Sequence, residues 1–577
     1  MDALVPSSVA VPGFVDVHIA SPHSSKQRAS LVYSQCNMTS HGQDPDEVRF
    51  LLASDTHIGF MERDPVRGSD SINTFEEILT IARQHRVDFI LHGGDLFHEN
   101  KPSRPTMFKT MALLREYTLG NDPVSIELLS DPYSDSRPGT KFPSVNYEDE
   151  NFNVSIPFFS IHGNHDDPQG LGEEGSLSAL DILSAAGLLN YFGRMTLPSS
   201  NASRKRPSST SSPLLALRPV LLRKGNTHIA LYGMGNMKDE RISHELMEKH
   251  VCMYRPAEAT SEWFQVLALH QNRASHNPKA YVPEHILDNS FHLIVWGHEH
   301  EQRISPEAVS EKNYHISQPG SSIATSLSPG ELSPKSVAIV HVKHKDFKLE
   351  PIPLQTARPF VMKDIFLPVE ARKEGVDITD RMSVTKLLRS HVESLISTAS
   401  LQWSERFAQI PETEKPPPML PLVRLRVTYD THLPLGNIVR FGQEFTGRVA
   451  NPNDVLQLKL IKQRQTQVSR PILSAAHLDQ DMLPAEKLER VNLSSLVMEN
   501  VRAQHFDLLN ASQLQKSVMG YVEKDERDAI ESFLNTSLQA VEQRLARQQM
   551  QESQLQSELE RICAQQSCVD QPERTAG

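Results

Sequence analysis

The sequence predicts an α/β domain whose chemistry gathers at the ends of its strands. Two observations carry this. Between Val48 and about Leu349, bounded apolar runs of strand length alternate with amphipathic helical stretches, and five of the runs end abruptly in residues that can bind a metal. They are FLLASDTH, ending in Asp55 and His57; FILHGGDLFH, in Asp95 and His98; IPFFSIHGNHD, in Asn164 and His165; FQVLALH, in His270; and HLIVWGHEH, in His298 and His300. Ligands of open α/β sheets collect beyond the carboxyl ends of the strands, so five such tips can share one site.

Each residue alone has an ordinary reading, because a His at a strand end is usually a satisfied polar group and an Asp there usually caps a turn or helix. Five coincidences at similar offsets make that reading improbable. Carboxylate, imidazole and one amide oxygen suit a divalent ion such as Mn²⁺, and the lack of thiolates argues against a structural zinc knuckle. The number of ligands suits two ions, which at about 3.5–4 Å apart clamp both the attacking and leaving oxygens of a phosphate ester. Such a pair needs a bridging carboxylate. Asp95 follows Gly93 and Gly94, whose small size lets two ions approach it.

The connecting elements follow in order. After the first run, Ile72, Phe75, Ile78, Leu79 and Ala82 mark one helical face; after the second, Met107, Met111, Leu114 and Tyr117 mark another, stopped near Gly120. SALDILSAAG at 178–187 predicts a third helix with Gly187 just past its end. Two insertions interrupt the alternation. Residues 121–155 hold seven acids (Asp122, Glu127, Asp131, Asp135, Glu148, Asp149 and Glu150) against Arg137 and Lys141, and read either as a solvated acidic loop or as a functional one. The second, SSNASRKRPSSTSS at 199–212, is polar, with a short basic core that suits a nuclear import signal or a phosphate contact.

Beyond Arg358 lies a smaller region containing a Pro-rich stretch at 416–418 and the strand-like LVRLRVTY at 422–429. Between Pro421 and Arg464, seven bases (Arg424, Arg426, Arg440, Arg448, Lys459, Lys462 and Arg464) face Asp430, Glu444 and Asp454, a local excess of +4 in a chain whose net charge is -12. Overall charge therefore neither favours nor excludes a polyanionic partner, since binding follows local potential. Past Pro484, Leu488, Val491, Val497 and Val501, then Ile530, Phe533, Leu534, Leu538, Val541 and Leu545, trace apolar helical faces. The first 46 residues show no sustained period and read as a disordered extension. Four scattered cysteines, Cys36, Cys252, Cys563 and Cys568, give neither a disulfide framework nor a CxxC site and predict a reducing compartment. No run of apolar residues is long enough to cross a bilayer, and the opening residues lack the features of a secretory signal, so a soluble intracellular protein is expected.

The series Asp55-x-His57, Gly94-Asp95, Gly163-Asn164-His165-Asp166, His270 and Gly297-His298-Glu299-His300 resembles the calcineurin-like metallophosphoesterases. The longer words GGDLFHENKPS (93–103), IHGNHDDP (161–168), HQNR (270–273), GHEH (297–300) and QPGSSIATSLSPGE (318–331) narrow the resemblance to the nuclease subunit of the eukaryotic MRN/MRX double-strand-break repair complex, over roughly residues 48–465. That resemblance implies a metallophosphoesterase sandwich with a smaller α+β capping domain and a C-terminal helical segment. The expected divisions are 1–46, extension; 47–357, nuclease domain; 358–465, DNA-binding capping domain; 466–484, linker; 485–550, helical ATPase-binding segment; and 551–577, helical or disordered tail.

It further implies two Mn²⁺ ions, one held by Asp55, His57, Asp95 and His300, the other by Asp95, Asn164, His270 and His298. His165 is then left to protonate the leaving oxygen, with Asp166 orienting it and His98 positioning the phosphate from the opposite side. The implied activity is 3′-to-5′ exonuclease and endonuclease cleavage of DNA ends in double-strand-break repair and meiotic recombination. The implied partners are an SMC-type coiled-coil ATPase gripped by the C-terminal helices, a nibrin/Xrs-type subunit near the acidic insertion, and a second copy of the chain; the expected location is the nucleus. Two other readings stand beside it. A protein phosphatase of the same superfamily usually carries an Arg after the bridging Asp and a Glu after GNH, where this chain has GGDLFHEN and GNHDDP. A mainly structural DNA-end tether is the other.

Overall fold

The computed structural model describes residues 44–133, 142–169, 176–195, 215–237, 239–248, 251–256, 262–273, 281–411, 415–430 and 436–460, with a few helical positions from 514 to 536. In chain order the strands are β1 (Val48–Ala53), β2 (Phe89–His92), β3 (Glu127–Leu128), β4 (Phe158–Ser160), β5 (Asn190–Tyr191), β6 (Leu215–Leu217), β7 (Pro219–Lys224), β8 (Thr227–Met234), β9 (Val251–Met253), β10 (Trp263–His270), β11 (Leu293–Gly297), β12 (Arg303–Ala308), β13 (His315–Gln318), β14 (Ser336–Lys343), β15 (Asp346–Pro353), β16 (Phe360–Phe366), β17 (Leu422–Tyr429) and β18 (Leu456–Leu460). The helices are α1 (Asp70–Gln84), α2 (Arg104–Thr118), α3 (Ala179–Ala185), α4 (Asp239–Met247), α5 (Leu367–Glu374), α6 (Arg381–Arg406) and α7 (Ile438–Gln443).

Two sheets form the core, one ordered β15-β14-β1-β2-β4-β5 and the other β12-β13-β11-β10-β8-β7-β3. Side chains alternate across a strand, and the central strands here are apolar on both faces, so each sheet is covered twice. In β1, Leu51 and Ala53 join Phe75, Ile78, Leu114 and Leu180 in a layer against α1, α2 and α3, while Phe50 and Leu52 point the other way. That second set meets Phe264, Val266, Leu293 and Val295 from the other sheet. The outer face of the second sheet packs Leu267, Leu269, Ile294 and Trp296 around Ile242 of α4.

The three expected helices form where their apolar faces lie. Ser103 caps α2 by accepting from the Thr106 N–H, and Ser178 and Asp181 form a capping box on α3. Gly187 follows α3 at φ +69°, a conformation that favours glycine. The acidic insertion is only partly a loop: Glu127 and Leu128 pair with Arg223 and Leu222, adding β3 to the edge of the second sheet. The period-two pattern Val124, Ile126, Leu128 carries this, since Ile126 enters the layer between the sheets while Glu127 stays exposed and pairs with Arg223.

The region after Arg358 builds its own parallel sheet, β16-β17-β18, with LVRLRVTY as the central strand and α5, α6 and α7 around it. Several of these bases are already engaged within the region itself. Arg426 is paired with Asp364 at 2.6 Å, Arg448 with Glu393 at 2.6 Å, and Arg424 is buried. The acids come from β16 and α6, outside the 421–464 segment.

This capping region meets the core around Ala324 and Leu327, which pack against Phe360, Leu422 and Ala450. Arg358 clamps the junction, donating to both oxygens of Asp70 at 2.7 Å and to the carbonyls of Leu420 and Val66 at 2.6 and 2.9 Å. The extension through residue 43, the insertion at 199–212, the segment 466–484 and the tail 551–577 lie outside the described residues. From the C-terminal apolar faces, Ile530 and residues 533–536 are helical, with Phe533 and Leu534 half-buried.

Because the Asp70–Arg358 pair is buried, Arg358→Ala leaves a carboxylate without its counter-ion. Urea unfolding is expected to show a loss of roughly 3–5 kcal/mol, and Asp70→Leu combined with Arg358→Met a smaller one. Equal losses in the two variants would assign the cost to packing.

Candidate metal centre

The five strand tips meet, and they come from both sheets. β1, β2 and β4 of the first sheet deliver Asp55, His57, Asp95, His98, Asn164 and His165; β10 and β11 of the second deliver His270, His298 and His300. Two groups of side chains could each hold an ion, Asp55 with His57 and His300, and Asp95 with His270 and His298, their ligand atoms within 4.8 Å of one another. Asn164 Oδ1 lies 3.2 Å from His270 Nε2 and 2.8 Å from His298 Nδ1, so it belongs with the second group.

Several tips leave their strands through left-handed backbone, with φ of 50° at Asp55, 44° at His57, 54° at Asp95 and 79° at His298. Non-glycine residues adopt this region at a cost, and its concentration here marks a site held by its surroundings. Part of the hold is a ladder between the tips: Asp55 N–H donates to the Gly94 carbonyl and His57 N–H to that of Asp95, both at 3.0 Å. The glycines make room. A Cβ on Gly163 would fall on the Asp95 carboxylate, and one on Gly94 would come within 2.5 Å of His270 Nδ1.

Asp95 sits between the two groups. Its Oδ1 accepts the His165 backbone N–H at 2.8 Å. Its Oδ2 is 3.3 Å from His270 Nε2 and 3.9 Å from His57 Nε2, yet no well-directed hydrogen bond reaches it. Asp55 Oδ1, 3.8 Å from His300 Nε2, is likewise buried without a hydrogen bond. Buried carboxylate oxygens are normally satisfied, so two such orphans among imidazoles fit cations at these positions.

Electrostatics agree. Burial disfavours the charged form of Asp95, but the adjoining His270 holds it well below the usual carboxylate range. Burial likewise opposes protonation of His270 and His300, yet Asp95 drives the first up to about 10, and Glu331 and Asp55 the second to about 9. Burial and the charge on His270 push His298 down to about 4. Protons on His270 and His300 thus occupy the positions where an ion would neutralise the same carboxylates.

His98 and His165 stand beside these groups. Their rings stack at 4.9 Å, and His98 Nδ1 lies 3.4 Å from His57 Nδ1. They therefore occupy the same side of the site, which corrects the expectation that His98 acts from the opposite side. Asp166 does not orient His165 either: its carboxylate accepts the backbone N–H groups of Gly163, Leu96 and Phe97 at 2.7, 2.8 and 3.2 Å. The orienting partner is the His98 carbonyl, 2.7 Å from His165 Nδ1. His57, His98 and His165 also cluster closely enough to hold an ion, but His57 is already a member of the first group, and a neutral ring has one lone pair to give.

Sequence reasoning missed the partners of the ligands. His298 Nε2 lies 2.9 Å from Asn272 Oδ1, and His270 Nδ1 2.8 Å from the Gly93 carbonyl. His300 Nδ1 meets Thr325 and Glu331, both within the SSIATSLSPGE run, which carries no ligand of its own to draw attention. Arg273 of HQNR is spent on Glu284, Gln318 and Glu307 at 2.7 Å each, a structural hub.

Comparison with known proteins fits this geometry. The calcineurin-like phosphoesterase family matches residues 48–302, and the Mre11 DNA-binding presumed domain matches residues 347–521. The double-strand break repair protein MRE11 of Coprinopsis cinerea is 50% identical over 507 residues, covering 86% of this chain and 68% of that protein. The chain belongs to the Mre11 family. Neurospora crassa mus-23 is 41% identical over 504 residues, and Homo sapiens MRE11 40% over 509, each covering 86% of this chain. The chain spans 65% and 66% of those two relatives, about two thirds of their length. As an Mre11-family phosphoesterase it is a metal-dependent enzyme built on a two-ion fold.

Ligation needs a lone pair on each imidazole, whereas His270 and His300 are protonated at neutral pH in the metal-free protein because their values are raised. Loading both ions at pH 7.5 should therefore release about two protons, read by calorimetry in buffers of different ionisation enthalpy. Affinity should climb as pH rises toward 9. Metal uptake without proton release would contradict these charge states.

Proposed function

We propose that this chain is a Mn²⁺-dependent DNA nuclease, a 3′-to-5′ exonuclease and endonuclease acting at broken ends in double-strand-break repair and meiotic recombination. The observation that supports it best is Asp95 Oδ2, a buried carboxylate oxygen with no well-directed hydrogen bond, lying between His57 and His270 of the two groups. Asp55, His57, Asp95 and His300 would hold one ion, and Asp95, Asn164, His270 and His298 the other. When bound, the ions supply Lewis acidity and an activated water for in-line attack on the phosphodiester. DNA as substrate is supported by family membership and by the DNA-binding family match on the same chain.

The protein's own residues do the rest. Asp95 fixes the separation of the two ligand sets, and the paired tips of the two sheets hold them together. His165 donates Nδ1–H to the His98 carbonyl, so Nε2 of the doubly protonated ring would give its proton to the departing oxygen. His98 braces that ring by stacking and lies beside His57, where it can hold a phosphate oxygen on the same side. In the capping region, exposed Arg440 and Lys459 are better placed to meet a DNA backbone than buried Arg424 or paired Arg426.

We extend the reading to the assembly: a homodimer working in the nucleus with a nibrin/Xrs-type subunit and with an SMC-type ATPase whose coiled coil takes up the apolar faces between 485 and 550. Family membership supports this.

Cleavage of a blunt duplex should appear with Mn²⁺ and vanish with chelator, while a phosphopeptide should not be hydrolysed at a comparable rate. Asp95→Asn should remove activity together with ion occupancy, measured by elemental analysis; two retained ions would refute the bridge. His165→Asn removes no proposed ligand, so ion content should survive while the cleavage rate falls by about 10²–10⁴. For the assembly, Phe533→Asp with Leu534→Asp should abolish co-purification of the ATPase and spare nuclease activity of the chain alone. Undiminished co-purification would send those faces elsewhere.

A further inference from the structure

His300 differs from the other proposed His ligands in having its remote nitrogen held by a buried anion. Nδ1 lies 2.7 Å from Thr325 Oγ1 and 3.2 Å from Glu331 Oε1. The Thr325 hydroxyl donates to the same Oε1 at 3.1 Å, so its oxygen is turned to accept from Nδ1–H. In the neutral ring that ligation requires, this places the lone pair on Nε2, which faces Asp55 Oδ1 at 3.8 Å and His57 Nε2 at 3.0 Å. By contrast, His270 Nδ1 meets a backbone carbonyl and His298 Nε2 an amide oxygen.

Glu331 is fixed from every side. Its Oε1 also accepts the N–H groups of Thr325 and Ser326 at 3.2 and 3.3 Å, and its Oε2 accepts from Ser321 Oγ at 3.0 Å and from Lys335 Nζ. Lys335 Nζ donates in turn to Ser321 Oγ at 2.9 Å. Carboxylate and ammonium are both buried, although Leu332 between them is exposed, an expensive arrangement unless the anion has a task.

We propose that Glu331, neutralised by Lys335, is a positioning residue for the His300 side of the metal centre, fixing the tautomer and ring angle that present Nε2 to the ion. It touches neither ion nor substrate. The proposal rests on His300 being a ligand. A histidine ligand that gives its other N–H to a carboxylate is held in orientation and made more basic, and losing that partner typically weakens metal binding by about 10–100-fold.

The test is a Mn²⁺ titration of the full chain, followed by electron paramagnetic resonance, which counts bound ions and reports the coupling between neighbours. Glu331→Ala alone would strand the Lys335 ammonium, so variants are made with Lys335→Met. Glu331→Ala with Lys335→Met should weaken one of the two ions by about 10–100-fold and abolish the coupled signal at subsaturating metal, leaving the other ion bound. Glu331→Gln with Lys335→Met keeps an oxygen for His300 and Thr325 and should recover most of that loss. Wild-type binding in both double variants overturns the proposal, as does an equal loss in both, which would mean a merely structural network. His300→Ala separates the premise: if it keeps both ions at wild-type affinity, the ligand assignment fails and this proposal with it.

Discussion

Two buried carboxylates that share a wall with four imidazoles set the terms for the rest of this molecule. Asp55 and Asp95 each keep an oxygen without a hydrogen bond, and the imidazoles of His57, His270, His298 and His300 surround them. Leaving such charge uncompensated in the interior is costly, and it is tolerated where cations complete it. The left-handed turns at the strand tips, the glycines at 94 and 163 and the ladder between the first two tips all keep those oxygens in place. The two-sheet core supplies the rigidity, because each sheet is packed on both faces and neither can slide without opening an apolar layer.

The strand tips were legible in sequence because buried strands leave a bounded apolar run and chemistry sits directly after it. The three helices were legible for the same reason, their faces repeating with the helical period. What sequence could not reveal was which sheet each strand joins. β1 and β10 look alike as strings, yet one lies beside β14 and β2 and the other between β8 and β11. β3 was hidden by the acids around it, although Val124, Ile126 and Leu128 alternate correctly for an edge strand.

The supporting residues were harder still. Glu331 is 31 positions from His300 and sits among serines and a proline that suggest only a turn. Asp166, adjacent to His165, invited a catalytic pairing, but three backbone N–H groups claim it first. A count of bases over a window hides their partners for a related reason: Arg426 of β17 and Arg448 beyond α7 are met by acids on β16 and α6, which are distant in the chain and adjacent in space.

The junction around Ala324 and Leu327 has a consequence for how the protein is controlled. These two residues pack against the capping region, and Thr325 between them bonds His300. The same short loop is therefore a floor for one domain and a wall for the metal centre. Free energies around such a shared element form a closed cycle: whatever factor a displaced cap imposes on metal affinity, bound metal imposes on the displacement of the cap. If displacing the cap moves Thr325, ion occupancy and cap position become linked through this loop, and a partner that grips only the cap would then act on the centre without approaching it.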